Sequence, residues 1–240
     1  MRICLIGYGK MGQAIEKIAI QLGHTISFRI DKDNGPDIQL IEQSNTDVAI
    51  EFTQPSSAIN NIQFCFDRNI PVVSGTTGWL SRWKEIEDAC KVKAGTLLYA
   101  SNFSLGVNIF FELNKHLAKL MSNFPQYKAQ IEEIHHTQKL DAPSGTAITL
   151  AEGIIANHPE YSSWSKQETN DLHSIPIKSL RIDPAPGTHT IIYNHEIDTL
   201  EIKHTAHSRE GFAAGAVMAA EWLVGKKGIF TMQEMLGFSK

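Results

Sequence analysis

A chain of 240 residues, 42% hydrophobic and 20% charged, can bury one full core or two modest ones and has the balance of an ordinary globular protein. Its net charge of −4 comes without a basic block, which excludes the phosphate-neutralising surface that nucleic acid requires, and no apolar run approaches the roughly 20 residues of a membrane span. Cys4, Cys65 and Cys90 are odd in number and lack CxxC spacing, so they read as buried thiols in a reducing, cytoplasmic setting.

From the first residue, short apolar runs alternate with longer periodic stretches. Residues 2–6, 24–30, 47–52, 70–74 and 96–100 predict strands that are apolar on both faces, as parallel strands covered by helices are. The opening run reads as a strand and not as a leader peptide. Helices are predicted over 11–22, 56–68 and 79–90. This βαβ succession with short connections gives an α/β fold, a Rossmann-type doubly wound parallel sheet. After Asn102-Phe103-Ser104 the pattern changes. A long amphipathic helix over 106–124 is followed by a strand at 128–135 and a helix at 146–156. A polar, irregular stretch covers 158–174, and strand-like runs follow at 177–182, 189–194 and 199–206. The succession is no longer strict βαβ, which predicts a second, smaller α+β domain. Helices at 212–224 and 232–236 close the chain.

Gly7-Tyr8-Gly9-Lys10-Met11-Gly12 is a GxGxxG run set directly after the first strand and opening the first helix. Gly7 permits the tight turn, Gly9 lets the backbone approach a pyrophosphate, and Gly12 allows close helix–strand packing. The helix start adds free amides and a positive dipole end. Asp31 ends the second strand 19 positions past Gly12, where an adenine-ribose ligand belongs. Its charge would repel a 2′-phosphate by roughly 4 kcal/mol at 4 Å near a surface. Lys32 next to it offsets part of that, so the cofactor is NADH, NADPH or both.

The densest chemical stretch runs from Glu133 to Thr146, with His135, His136 and Lys139 leaving a strand end and Pro143, Ser144, Gly145 and Thr146 opening a helix. On a strand His135 and His136 point to opposite faces and should not share a role. Ser144, Gly145 and Thr146 sit where the first free helix amides lie, and such a terminus binds carboxylate. An imidazole and an ammonium beside that cradle suit reduction of an anionic, unsaturated or iminium-like substrate, in which hydride adds to one atom and an acid protonates its neighbour. The same residues also fit a solvated loop before a well-capped helix.

Taken together these residues resemble the 4-hydroxy-tetrahydrodipicolinate reductase (dihydrodipicolinate reductase) family over almost the whole chain. The most specific marker is the run His-His-x-x-Lys-x-Asp-Ala-Pro-Ser-Gly-Thr-Ala at 135–147. It is supported by Gly75-Thr76-Thr77-Gly78, by Asn102-Phe103-Ser104-x-Gly106-Val107-Asn108, and by the closing Ser208-Arg209-x-x-Phe212-Ala213-x-Gly215-Ala216-Val217. The resemblance implies that His135 is the general acid and Lys139 a second proton donor. It assigns His136, Ser144, Gly145 and Thr146 to the carboxylates of a small cyclic dicarboxylate. Gly75, Thr76 and Thr77, with Ala100, Ser101, Asn102 and Phe103, would contact the nicotinamide half of the cofactor. It implies a homotetramer assembled through the sheet of a substrate domain at 106–209, with the closing helix returning to a nucleotide domain at 1–105 and 210–240. The nicotinamide would then face a cleft between the domains that closes on the substrate. The chain departs from the family pattern in a phosphate loop one residue shorter, with Lys10 where Arg is usual. It also has Glu51 where Asp is common, Asp183 where Gly is frequent, and a short stretch between Asp31 and Asp47.

Rival readings explain less. His204-x-x-His207 has no acidic or Cys partner at a recognised zinc spacing, so no metal site is expected, and His195 and His204 read as surface or interface residues. A hydrolase built on Ser144, His135 and Asp141 lacks a nucleophile elbow and leaves the glycine run unexplained. Another Rossmann dehydrogenase of small amino-acid metabolites, or a nucleotide-sensing protein without turnover, are the remaining alternatives.

Overall fold

The computed structural model describes residues 1–166, 169–208 and 210–238. The chain divides into two compact units, Met1–Leu105 with Glu210–Lys240, and Gly106–Arg209.

The first unit starts with β1 (Arg2–Ile6), α1 (Lys10–Gln21), β2 (Thr25–Ile30), β3 (Val48–Glu51) and α2 (Pro55–Asp67). It continues through β4 (Val72–Ser74), α3 (Trp83–Lys93) and β5 (Thr96–Tyr99). These strands are parallel and stand in the order β5-β4-β3-β1-β2. The order reverses between β1 and β3, and in such sheets ligands bind outside the strand ends at that reversal. Alternation along β1 decides the two layers. Ile3 and Leu5 pack with Ile15 and Ala19 of α1, whereas Cys4 and Ile6 pack with Ile59 and Ile62 of α2 and Ile86 of α3. All three cysteines are free and buried.

The second unit holds α4 (Leu105–Met121), whose first residue belongs to the first unit, then β6 (Lys128–His135), α5 (Gly145–Ile155) and β7 (Ser163–Ser165). β8 (Ser174–Arg181), β9 (Gly187–Asn194) and β10 (Thr199–Ala206) complete a mixed sheet of order β10-β9-β6-β8-β7. β6 is central, parallel to β8 and antiparallel to β9. Phe110 and Ala118 of α4 and Leu150 and Ile154 of α5 pack on Ile131, Ile177 and Ile191 of the sheet. The chain then returns to the first unit as α6 (Glu210–Leu223), β11 (Gly228–Phe230) and α7 (Met232–Met235). β11 pairs with β5 as a sixth parallel strand, and α6 packs Ala213, Ala216, Val217, Ala220 and Leu223 into the same layer as α1. Gly215 is required there, since a Cβ would lie 1.7 Å from the Phe103 carbonyl oxygen.

Several boundaries differ from the sequence expectation. The third helix begins at Trp83 and not at residue 79, because Trp79 is buried and pinned, its indole N–H donating 2.7 Å to the Thr76 carbonyl. Residues 80–82 form a 3-10 turn instead. The stretch 158–174 is not wholly irregular: β7 lies within it and pairs with the start of β8. Pro176 obscured that start, because a strand proline is admissible only near a sheet edge and β7 is short. Gln167 and Glu168 of that stretch, and Arg209 of the closing motif, lie outside the described residues. β11 was not foreseen, its three residues being too short to show alternation.

Candidate active site

In the first unit the glycine run does what its spacing requires. Gly7 has φ +98° and a Cβ there would meet the Phe52 carbonyl oxygen at 2.0 Å, so only glycine can make the turn from β1. A Cβ on Gly12 would come within 2.3 Å of the Gly7 carbonyl oxygen, so its packing partner is the turn itself and not the strand. Gly9 is different: nothing lies within 4 Å of the Cβ position. It is the N-cap of α1, without a side-chain cap and without an acidic residue in the first turn. A helix start of that kind presents amides and positive potential to an anion.

Two adjoining clefts, of about 520 and 530 Å³, share Gly9, Phe52, Thr53 and Gln54 and so make one groove across the β1/β3 reversal. Gly7, Tyr8, Asp31 and Lys32 line one end, and Lys10, Met11, Gly75, Thr76 and Thr77 line the other. The residues present therefore fit a dinucleotide. Of the other expected cofactor contacts, Ser101 is exposed, and the Asn102 side chain accepts from the Ser104 amide at 2.9 Å. The Ala100 amide donates to Ser74 at 3.3 Å. The Phe103 side chain is buried in the core against Phe52. Local spacing carried no signal for Glu51, which is fully buried with no cation paired to it among the described residues, accepting from Ser74 Oγ at 2.7 Å, Thr76 Oγ1 at 2.8 Å and the Thr53 amide at 3.1 Å. It ties the loop after β3 to the loop after β4. Near Asp31, Arg29 is bound to Glu16, which also accepts from the Tyr8 hydroxyl.

In the second unit β6 alternates strictly, so Glu133 and His135 share its buried face. Register then supplies what spacing could not: His189 of β9 stands opposite Glu133, and Arg181 of β8 stands opposite His135. The Glu133 carboxylate is fully buried. Both its oxygens accept from the Ser144 amide at 3.1 Å, and Arg181, His135 Nδ1 and His189 Nε2 lie 3.4, 3.5 and 3.7 Å away. Burial pushes this carboxyl up. Hydrogen bonds from His189, Ser144 and Ser179 outweigh burial and hold it well below the usual carboxylate range. His135 is pulled the other way, to about 4, by burial and by the neighbouring His189, with Lys139 and Arg181 adding to the effect and Glu133 opposing it.

Ser144 caps α5, its Oγ accepting from the Ala147 amide at 3.2 Å and meeting His189 Nε2 at 3.2 Å. With its amide on Glu133 and its hydroxyl so engaged, Ser144 fixes the start of α5, where Gly145 is exposed. Thr146 follows, half-buried, in the first turn. Lys139 Nζ is paired with both oxygens of Asp141 at 2.8 Å. Arg181 clamps the loop between them and Glu133 by donating to the Lys139 and Asp141 carbonyls at 3.1 and 2.6 Å. His136 lies beyond the strand, half-buried, in a separate cleft of about 330 Å³ with Gln138 and residues 183–186. Asp183, the departure from the family pattern, accepts from the Thr137 amide and hydroxyl at 3.1 and 2.6 Å and so fixes the residue after His136.

Glu133, His135 and His189 bring ligand-type atoms within 4.8 Å of one another, a grouping that sequence spacing missed. Arg181 already supplies positive charge to that carboxylate, which disfavours a divalent cation there. His204 is half-buried against Phe110 and so is not a plain surface residue, while His207 lies exposed beyond β10. His195 is half-buried against Tyr127.

Two family models match end to end: dihydrodipicolinate reductase, N-terminus, over residues 1–103, and dihydrodipicolinate reductase, C-terminus, over residues 106–236. The chain belongs to the dihydrodipicolinate reductase family. It is 51% identical over 237 residues to the 4-hydroxy-tetrahydrodipicolinate reductase of Christiangramia forsetii, covering 98% of each chain. It is 34% identical to that of Thermosipho africanus, again over 98% of each. The fold is similar to that of a solved dipicolinate-bound dihydrodipicolinate reductase from Paenisporosarcina sp. TG-14, with TM-score 0.77, 23% identity and 98% of both chains covered. An amine dehydrogenase from Mycobacterium smegmatis shares the fold more distantly, with TM-score 0.60 and 10% identity over 95% of this chain and 94% of that one. Among the described residues no helix is long and apolar enough to cross a membrane.

Proposed function

We propose that this chain is an NAD(P)H-dependent 4-hydroxy-tetrahydrodipicolinate reductase, which forms tetrahydrodipicolinate on the route to diaminopimelate and lysine. The observation that carries the reading is the join in the second unit between an anion-gripping helix start and a buried imidazole, made through the Ser144 amide on Glu133 two residues before His135. A cyclic dicarboxylate needs both parts at once.

In this reading the glycine turn and the α1 start hold the pyrophosphate, Asp31 and Lys32 meet the adenine ribose, and Gly75, Thr76 and Thr77 meet the nicotinamide half. The 4-hydroxyl leaves as water to give a conjugated ring, and the reduced nicotinamide supplies the hydride to C4 of that ring. Gly145 and Thr146, on the frame built by Ser144, hold one substrate carboxylate, and His136 meets the other. His135 gives the proton to the atom beside the hydride acceptor, and Lys139, released from Asp141 by the anionic substrate, is the second donor. The chain works as a homotetramer in a cytoplasmic setting, the assembly running through the sheet of the second unit. Exposed Leu200 on β10 and Ile197 beside it support that surface.

The test is NADH and NADPH oxidation by the purified protein with freshly generated substrate, made by condensing pyruvate with aspartate semialdehyde. Turnover only with that substrate is expected. Tight NADH binding without turnover on it or on amino-acid metabolites would make the chain a sensor instead.

A further inference from the structure

A carboxylate buried as completely as that of Glu133 is strongly unfavourable unless its surroundings compensate it. The Ser144 amide and Arg181 would suffice to hold a purely structural anion. The arrangement goes further, because two imidazoles also converge on the same oxygen, His135 Nδ1 at 3.5 Å and His189 Nε2 at 3.7 Å. His135 Nδ1 is buried and has no hydrogen-bond partner among the described residues. Were its lone pair directed at the carboxylate, two acceptors would face each other; a proton on Nδ1 removes the conflict. The opposite edge of the ring passes Gly187, where a Cβ would stand 3.2 Å from Nε2, so residue 187 puts no side chain against that nitrogen.

We propose that Glu133 is a positioning residue for the acid step, holding the proton on Nδ1 of His135 so that Nε2 is the nitrogen that exchanges a proton with substrate, and tying that ring to the helix start that grips the carboxylate. This rests on the reductase reading and names the residue that makes its acid usable. The charged groups around His135 are Glu133 on its own strand, Arg181 on β8, His189 on β9 with His204 of β10 behind it, and Lys139 paired with Asp141 in the loop. Of these only Glu133 favours the protonated ring directly. Neutralising it removes the one contribution that favours a proton on His135 against His189, Lys139 and Arg181.

The experiment has two arms. In the wild-type protein, ¹⁵N shifts of His135 at neutral pH are expected to report the Nδ1-protonated tautomer. In E133Q, kcat is expected to fall at least about tenfold with KM changed less than about threefold, and the alkaline limb of kcat to move about one unit toward acid. E133D, which keeps the charge, is expected to return the limb toward its wild-type position. A merely structural role would lower stability and rate without moving the limb. An Nε2-protonated neutral His135, or an E133Q limb that stays in place, overturns the proposal. Should E133Q not fold, judged by melting and NADH binding, the wild-type tautomer decides alone. That measurement needs no substrate, so failure of the reductase reading, seen as absent turnover by wild type, is separately visible.

Discussion

Arg181 stands directly across the β6–β8 pair from His135, and the guanidinium is fixed there by the backbone carbonyls of Lys139 and Asp141. Burial and the neighbouring His189, with Lys139 and this guanidinium adding to them, make the free protein a poor holder of the proton that the proposed acid step needs, in keeping with the value near 4. A substrate bearing two carboxylates reverses that balance on arrival. The alkaline limb of kcat/KM, which reports the free enzyme, should therefore lie at lower pH than the limb of kcat, which reports the complex, by at least about one unit. His135→Ala should lower kcat by about 10²–10⁴-fold with a smaller effect on KM. Steady-state rates across about pH 3.5–9 check both; coincident limbs would mean that substrate does not load the acid.

The three glycines of the phosphate turn should separate on substitution. Gly9→Ala meets no atom within 4 Å and should melt within a degree or two of wild type while weakening NADH binding about tenfold or more. Gly7→Ala combines a positive φ with a 2.0 Å approach to the Phe52 carbonyl oxygen and should destabilise the fold by more than 1 kcal/mol. Gly12→Ala should resemble Gly7→Ala, because its obstacle is also backbone. Thermal melts paired with fluorescence titration of NADH distinguish the two behaviours.

Coenzyme preference should depend on two carboxylates. Asp31 lines the groove, and Arg29, two positions earlier on the same side of its strand, is occupied by Glu16. Asp31→Ala should raise the NADPH-to-NADH ratio of kcat/KM about tenfold by removing repulsion of the 2′-phosphate. Glu16→Gln should move the ratio in the same direction by freeing the guanidinium. An unchanged ratio in Asp31→Ala would take that residue out of coenzyme selection.

His158 is buried at 1% exposure with its ring on Tyr161, and burial holds its pKa below the ordinary imidazole range against the opposing pull of Glu160. A histidine depressed in the folded state takes up its proton more readily when unfolded. Its contribution to stability should thus be flat above about pH 6.5 and fall as pH drops below it, by up to one proton, about 1.4 kcal/mol per pH unit, in addition to the like contributions of His135 and His204, which burial also depresses. His158→Phe, a neutral ring facing the same tyrosine, should flatten part of that slope between pH 6.5 and 5. Urea midpoints at several pH values measure it; parallel slopes would assign the proton uptake elsewhere.

What the sequence made legible follows a simple division. The limits of β1, β6 and β10 could be read because alternation and flanking turns are local, and the glycine run because each glycine answers a steric demand a few residues away. Glu133 was within reach, since a strand period of two places it on the face of His135. Arg181 and His189 were not, because they reach the site only through strand register, and register depends on how three separate strands align. The Arg29–Glu16 pair and the Asp183 clamp on Thr137 join segments of chain 13 and 46 residues apart, beyond what any local pattern encodes.

The first unit is interrupted in the chain: α6 and β11 are made only after the entire second unit. Six α6 residues from Ala213 to Leu223 fill the layer against α1, and β11 covers the free edge of β5. During synthesis the second unit has all its strands as soon as β10 emerges, whereas the nucleotide-binding half stays an unsealed sheet until the last turns leave the ribosome. A nascent chain stalled before residue 210 would expose that apolar layer and an unpaired strand, making it the stage at which chaperone contact and aggregation concentrate.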